Sequence, residues 1–223
     1  VISKSCFAIL KETLVALKNL GIEKHRIKVF GYPVSERFTN HGEKDSAFLH
    51  AHGLSSKKKT LLLILATGMS WLRAKELIAV MRKSSLKNIQ LAVVACSNSH
   101  WKLRLERINW PWPTAITGWT QEMHRFINNA DLVLTKAGGA TVMECVANAA
   151  PMMIIDALPG QEVGNAALVQ KYNLGVVLDK DFQNFGEGVN YIFKNLPLIK
   201  NNLISQQKHD AGPRIAKFLA HLA

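Results

Sequence analysis

Polar and apolar positions change their pattern twice along the chain. From Cys6 to Leu20, the apolar residues Phe7, Leu10, Leu14, Leu17 and Leu20 fall near one face of a helix. Val1–Ser3 reads as the end of a preceding strand, and Gly21 stops the helix in the C′ position. Ile27–Phe30 reads as a short strand closed by Gly31-Tyr32-Pro33. This strand–helix–strand unit, residues 1–34, is too small to bury its own apolar face and must pack on something else. Residues 35–59 are polar, contain Gly42 and Gly53, and end in the basic run Lys57-Lys58-Lys59. That composition predicts a linker with little regular structure.

From Thr60 to the end, residues 60–223, apolar runs alternate with helical periods. The alternation predicts an α/β, Rossmann-like parallel sheet with right-handed crossovers. The expected strands are Leu61–Ala66, Ile89–Cys96, Thr114–Ile116, Asp131–Leu134, Met152–Ile155 and Gly175–Leu178. The expected helices are Trp71–Ser84, Ser97–Ile108, Gln121–Asn129, Ala140–Ala149, Ala166–Tyr172 and Asp181–Lys194, with a final helical region, Leu198–Leu222, broken near Ala211-Gly212-Pro213.

One stretch carries more than pattern. Thr135–Asn165 reads TKAGGATVMECVANAAPMMIIDALPGQEVGN. The turn Lys136-Ala137-Gly138-Gly139 joins a strand to a helix. Two glycines there let a ligand approach the backbone with no Cβ in the way. The helix after them points unpaired N–H groups and its positive dipole end at the same spot, which suits a phosphate. The next sheet-end loop places Gln161, Glu162 and Asn165 nearby, a set that matches a polyhydroxylated partner. Together they read as a nucleotide-sugar diphosphate site. The loops at Gly68, Gly118, Gly138 and Gln161 all follow strands, so all four can converge on one crevice at the carboxyl ends.

Several of these residues have plainer readings. Thr141-x-x-Glu144 has the form of a helix capping box; the functional alternative is a carboxylate accepting two ribose hydroxyls. Lys136 pairs with a phosphate or sits on the surface. Asn165 reads the sugar or caps the next helix. Of five tryptophans, Trp119 stands out because it lies in a sheet-end loop beside Gly118 and Thr120. His50 and His52 have no carboxylate or cysteine partner at metal-ligand spacing and read as solvated linker residues.

Composition narrows the classes. Hydrophobic residues make up 48% of the chain, so a substantial core is expected. No apolar run approaches the ~18 residues of a membrane span, and no charged-then-apolar signal pattern opens the chain. The start at Val1 without methionine suggests a cut chain. Cys6, Cys96 and Cys145 are odd in number and far apart, which argues for a reducing compartment and against a disulfide framework or zinc site. The formal charge of +12 favours anionic partners, whether an acidic membrane surface or phosphorylated ligands, or is simply a solvated basic face. No aromatic-basic platform for nucleic acid is recognisable, so nucleic acid is not expected as a partner.

The motif residues resemble the processive diacylglycerol glycosyltransferases and plant monogalactosyldiacylglycerol synthases of glycosyltransferase family 28. They resemble more distantly the bacterial N-acetylglucosaminyltransferase of peptidoglycan synthesis. The likeness is strongest in TKAGGATVMEC, at Ala150-Pro151 and in PGQEVGN from Pro159 to Asn165. It extends weakly back through Gly118-Trp119 to Lys28–Val34. The resemblance implies the C-terminal, donor-binding domain of a GT-B enzyme, with residues 1–34 the end of its N-terminal acceptor domain. It implies UDP on Gly138, Gly139, Ala140, Thr141 and Glu144, uracil near Gly118, Trp119 and Thr120, and a hexose on Gln161, Glu162 and Asn165. It implies no cofactor and no essential metal at the diphosphate. It implies hexosyl transfer to a lipid acceptor such as diacylglycerol, by a cytoplasmic protein peripheral to the membrane. The alternatives are a nucleotide-sugar-binding subunit that needs a partner chain carrying the N-terminal domain, or a transferase of the peptidoglycan type. Two departures stand out. The family's glycine-rich loop after the first strand is reduced to Gly68 in Ala66-Thr67-Gly68-Met69-Ser70. The family's candidate base lies in the N-terminal domain, and none of the eight histidines here matches it.

Overall fold

In a computed structural model, residues 6–8, 11–39, 42–65, 68–95, 99–160, 162–208 and 210–221 are described. Six strands pair in parallel: β3 (Lys59–Ile64), β4 (Ile89–Val94), β5 (Thr114–Thr117), β6 (Leu132–Lys136), β7 (Met152–Asp156) and β8 (Gly175–Val177), in the order β5-β4-β3-β6-β7-β8. β3 is central, with Leu62 paired to Ala92 on one side and to Val133 on the other. Its apolar run is continuous because Leu61, Leu62, Leu63 and Ile64 are all buried, as a strand covered on both faces requires. Helices α3 (Trp71–Lys83), α4 (Ser99–Glu106), α5 (Met123–Asn128), α6 (Gly139–Ala147) and α7 (Val163–Lys171) connect successive strands.

The chain runs outward from β3 to β5, returns to the other side of β3 at β6, and runs outward again to β8. With right-handed crossovers, that reversal puts α3 and α4 on one face and α6 and α7 on the other. The remaining helices, α8 (Phe185–Lys194), α9 (Leu196–Gln206) and α10 (Ala211–Ala220), close the two faces: α8 packs on α3, and α9 on α6. α9 ends at Gln206 and α10 begins at Ala211, so the last helical region is interrupted just ahead of the expected position. Pro213 sits in the first turn of α10, where its missing N–H costs nothing.

The N-terminal segment departs from expectation in its first half. Cys6–Ala8 is a strand, β1, and not the start of a helix; α1 begins only at Lys11 and ends at Asn19. β1 pairs in parallel with β2 (Ile27–Val29) in a sheet of two strands separate from the six. A short apolar run has no period of its own, and its long-range partner decides its state. The strand expected at Val1–Ser3 lies outside the described residues. Gly21 ends α1 as expected, at φ +82°, with Ile22 N–H donating to Leu17 O at 3.1 Å. The segment rests on α10 through Phe30 against Phe218, ring centroids 5.5 Å apart.

The larger correction concerns the stretch 35–59, whose described residues include regular elements and pack on the sheet. A 3-10 turn spans Glu36–Phe38, and a helix, α2, spans Ser46–Ala51. Phe48, Leu49 and Leu54 are buried in the core of the six-stranded sheet. Polar clamps hold the stretch in place. Asp45 caps α2 by accepting from Phe48 N–H at 2.9 Å and accepts from Arg125 Nη2 at 2.7 Å. The Arg125 guanidinium, followed by the Phe48 amide, holds the Asp45 carboxyl below the usual carboxylate range. Gln90, wholly buried on β4, donates to Ser55 O and Thr60 Oγ1 and accepts from Ser55 N–H. Asp131 accepts from Thr60 N–H at 2.7 Å and faces both Lys44 and Lys59. Every partner but Asp45's own helix lies far away in sequence, so composition alone reads the stretch as a linker.

The β7–β8 pairing leaves no room at Gly175, where a Cβ would fall 1.8 Å from Met152 O. Gly175→Ala is therefore expected to lose on the order of 3 kcal/mol of stability in urea unfolding. Gly186→Ala, which meets nothing within 4 Å, should stay within about 1 kcal/mol of the parent.

Candidate functional site

The reversal of strand order opens a crevice at the carboxyl ends of β3 and β6. Three loops meet there. After β3, Gly68 adopts φ +96°, and a Cβ on it would lie 3.7 Å from Leu158 Cδ1 and 3.8 Å from Lys136 Nζ. After β6, Lys136 reaches across to the loop after β7, with Nζ 2.7 Å from Glu162 Oε1. Glu162 is only 6% exposed, and its other oxygen accepts from Leu158 N–H at 3.0 Å. Asn165 Nδ2 donates to Ala137 O at 2.9 Å. An ion pair and an amide bond thus stitch the β6–α6 turn to the start of α7.

That stitching leaves the N-terminus of α6 open. Gly138 is the N-cap residue and supplies no side chain, and the first helical bond runs from Val142 N–H to Gly138 O at 2.9 Å. The N–H groups of Gly139, Ala140 and Thr141 precede that bond, at the positive end of the helix. Ala140 is exposed. Neither Gly138 nor Gly139 has positive φ, and a Cβ on either would make ordinary contacts at 3.5 Å or more. The fold itself does not require glycine at these two positions.

Thr141 is the third residue of α6 and not its N-cap, so the capping box with Glu144 is not formed. Beyond the first residue, Ala140, Thr141 and Glu144 are the accessible positions of the helix. The Glu144 carboxylate is half-buried one turn below the open N–H groups and has no hydrogen-bond or ionic partner among the described residues. Burial pushes its carboxyl above the usual range. The ionised form therefore costs stability at neutral pH, a cost that disappears once the group is protonated at acid pH. Its neighbour Cys145 is fully buried, and its thiol is pushed far up, first by burial and then by the Glu144 charge, so it is inert.

Gly118, Trp119 and Thr120 stand apart from this cluster. They follow β5, three strands from β6, about 14 Å away by strand spacing. Trp119 is 66% exposed, and Thr120 Oγ1 accepts from Glu122 N–H at 2.9 Å. Gln161 lies outside the described residues. Asn165 is not the N-cap of α7, because that helix begins at Val163. Sequence reasoning missed Leu158, whose amide and side chain join two of the loops, and it missed the Lys136–Glu162 pair. The available signal was an opposite charge in each of two loops that follow neighbouring strands.

Comparisons with known proteins identify the family and the fold. Residues 74–185 match the Glycosyltransferase family 28 C-terminal domain. The chain is 27% identical over 166 residues to a processive diacylglycerol beta-glucosyltransferase of Bacillus pumilus, covering 74% of this chain and 43% of that protein. It is 30% identical over 161 residues to the chloroplastic monogalactosyldiacylglycerol synthase 2 of Arabidopsis thaliana, covering 70% of this chain and 34% of that protein. The chain spans less than half the length of these curated relatives. Among solved structures, Anabaena HepE in complex with UDP-glucose superposes with a TM-score of 0.63 at 13% identity, over 98% of this chain and 64% of that one. Staphylococcus aureus MnaA with UDP superposes with a TM-score of 0.69 at 14% identity, over 100% of this chain and 61% of that one. The fold is that of a GT-B C-terminal domain.

Breaking the buried pair from one side should be costly. Lys136→Met leaves the Glu162 charge unpaired and is expected to lose about 3 kcal/mol in urea unfolding. Adding Glu162→Gln to Lys136→Met should restore most of that loss.

Proposed function

The chain belongs to glycosyltransferase family 28 through its C-terminal domain, and from that premise we propose that it binds the UDP end of a UDP-hexose. The whole protein would transfer the hexose to a lipid acceptor such as diacylglycerol. The observation that carries the reading is the uncapped N-terminus of α6 in the crevice, with the partnerless Glu144 one turn on. The three open N–H groups suit a diphosphate, and the helix dipole supplies positive potential without a metal. Lys136, held by Glu162, adds a fixed cation beside Gly68 and Gly138. Glycine at 138 and 139, which the backbone does not need, keeps the approach clear. Glu144 then accepts from the ribose hydroxyls, and the base extends along the strand ends toward Gly118, Trp119 and Thr120. Gln161, Glu162 and Asn165 read the hexose.

No residue of this chain is assigned as the general base. Because the chain spans less than half of its curated relatives, transfer would need an acceptor domain from elsewhere in the polypeptide or from a partner chain. Among the described residues no helix is long and apolar enough to cross a membrane, so a lipid acceptor would be met at a surface. The charge of +12 makes an anionic bilayer the suitable one.

Calorimetry tests the nucleotide reading. UDP should bind more tightly than UMP; equal affinities would remove the diphosphate role of α6. Glu144→Ala should weaken UDP by about 1–3 kcal/mol and 2′-deoxy-UDP by less. UDP-glucose affinity should fall on acidification, starting above the pH expected for an ordinary carboxylate, because the raised Glu144 carboxyl protonates early. The same titration of Glu144→Gln should be flat, and an equal loss for UDP and 2′-deoxy-UDP would leave Glu144 only a structural part.

The hexose reading has its own measurement. Gln161→Ala should leave UDP affinity nearly constant while the extra affinity contributed by the hexose of UDP-glucose or UDP-galactose declines. Loss of UDP itself would assign the loop to the nucleotide or the fold.

A further inference from the structure

The face of the sheet opposite α6 carries a feature that donor binding does not use. α3 and α4 lie side by side, and between them runs a groove of about 390 Å³. Its floor is Trp71, Ile78 and Ile108, and its rim carries Lys75, Arg82, Arg104 and Arg107. Lys75, Ile78 and Arg82 recur at helical spacing along one side of α3. Trp71 packs edge-on against Trp101, ring centroids 5.4 Å apart, and Arg104 lies over Trp71 at 5.2 Å.

The four cations lack anionic partners. Among the described residues none of Lys75, Arg82, Arg104 and Arg107 makes an ion pair, and the two acidic residues of these helices are engaged elsewhere. Glu76 pairs with Arg73 at 3.4 Å, and Glu106 with Lys102 at 3.7 Å. Outside the groove lining, the same two helices expose two aliphatic side chains, Leu72 at 66% and Leu103 at 53% exposure. One is on the first turn of α3 and the other on α4.

We propose that the α3–α4 groove is a docking site for the anionic headgroups of a phospholipid bilayer, with Leu72 and Leu103 as shallow apolar anchors. The inference rests on the reading above that the protein works at a lipid surface, and it names the part of the chain that meets that surface. Clustered cations take the phosphates, each contributing independently near a charged bilayer. Exposed leucines and a half-buried tryptophan suit the boundary between headgroups and acyl chains. A nucleic acid fits less well, because stacking of bases needs open aromatic faces. Here Trp71 is half-buried, packed edge-on against Trp101 and covered by Arg104.

The experiment is co-sedimentation of the purified chain with two kinds of vesicle. One is phosphatidylcholine alone, and the other is equal parts phosphatidylcholine and phosphatidylglycerol. The parent should bind only the second kind, and less as salt rises. Arg82→Gln, Arg104→Gln and Arg107→Gln combined should weaken binding roughly 100-fold. Lys57→Gln, Lys87→Gln and Lys200→Gln combined remove the same charge away from the groove and should leave most of the binding. Leu72→Ser with Leu103→Ser should weaken binding by a factor that depends little on salt. UDP affinity and circular dichroism should be unchanged in every variant, which separates loss of docking from loss of fold. Equal weakening by the two charge triples would overturn the groove assignment and leave the membrane reading standing. A parent that binds neither vesicle at low salt would overturn both, without touching the UDP measurements. Binding of single-stranded DNA through the same arginines, with no vesicle binding, would assign the groove to nucleic acid.

Discussion

The reversal of strand order between β3 and β6 is the constraint on which the rest of the structure depends. Parallel strands need crossovers, and crossovers of one hand that move in opposite directions must cover opposite faces. The chain then leaves β3 and β6 toward opposite faces, and the loops that follow meet at the strand ends around Gly68, Lys136 and Leu158. Everything in the candidate site is placed by that geometry: Gly68 on one wall, the start of α6 on the other, and the loop after β7 behind it. Position comes from topology here, and chemistry from a few side chains hung on it.

Lys136 and Glu162 turn three adjacent loops into one rigid rim. The pair is buried, and each partner has further support: Glu162 from the Leu158 amide, and Lys136 from the close approach of Gly68 and Gly138. A buried pair of this kind adds little net stability over an apolar substitute, but it allows few alternative arrangements. Asn165 repeats the connection with a neutral bond to Ala137. Lys136 and Glu162, which look like ligand groups when read singly, are also the brace that holds the turn.

The sheet and the α6 signature were legible because their signals are local. Continuous apolar runs such as Leu61–Ile64 report a strand covered on both faces, and a glycine pair between strand and helix reports an open helix start. What could not be read is pairing across distance. Glu162 lies 26 residues from Lys136, and nothing in either segment announces the other. Phe48 and Leu49 are two apolar residues in a polar stretch, too few to set a period. Their helix is held by Arg125, which bonds Asp45 and lies over the Phe48 ring and comes much later in the chain. The strand at Cys6–Ala8 exists because Ile27–Val29 is there to pair with it. The capping-box reading failed by three residues: the helix begins at Gly139, so Thr141 lies inside it.

The missing cap on α6 also sets how occupancy is felt by the whole molecule. A helix that brings its own cap, as Ser70 does by accepting from Arg73 N–H at the start of α3, keeps its stability as a property of the chain alone. On the proposed reading, α6 would leave that role to the diphosphate, and filling the crevice would complete the helix. A ligand bound only by the folded state adds RT ln(1 + [L]/Kd), about 2.7 kcal/mol when it is present at a hundred times its Kd. Against the small free-energy margin of an ordinary domain, that is a substantial fraction. On that reading the ligand-free chain would open more often and be degraded sooner, so the supply of its ligand would govern how long each copy survives in a cell.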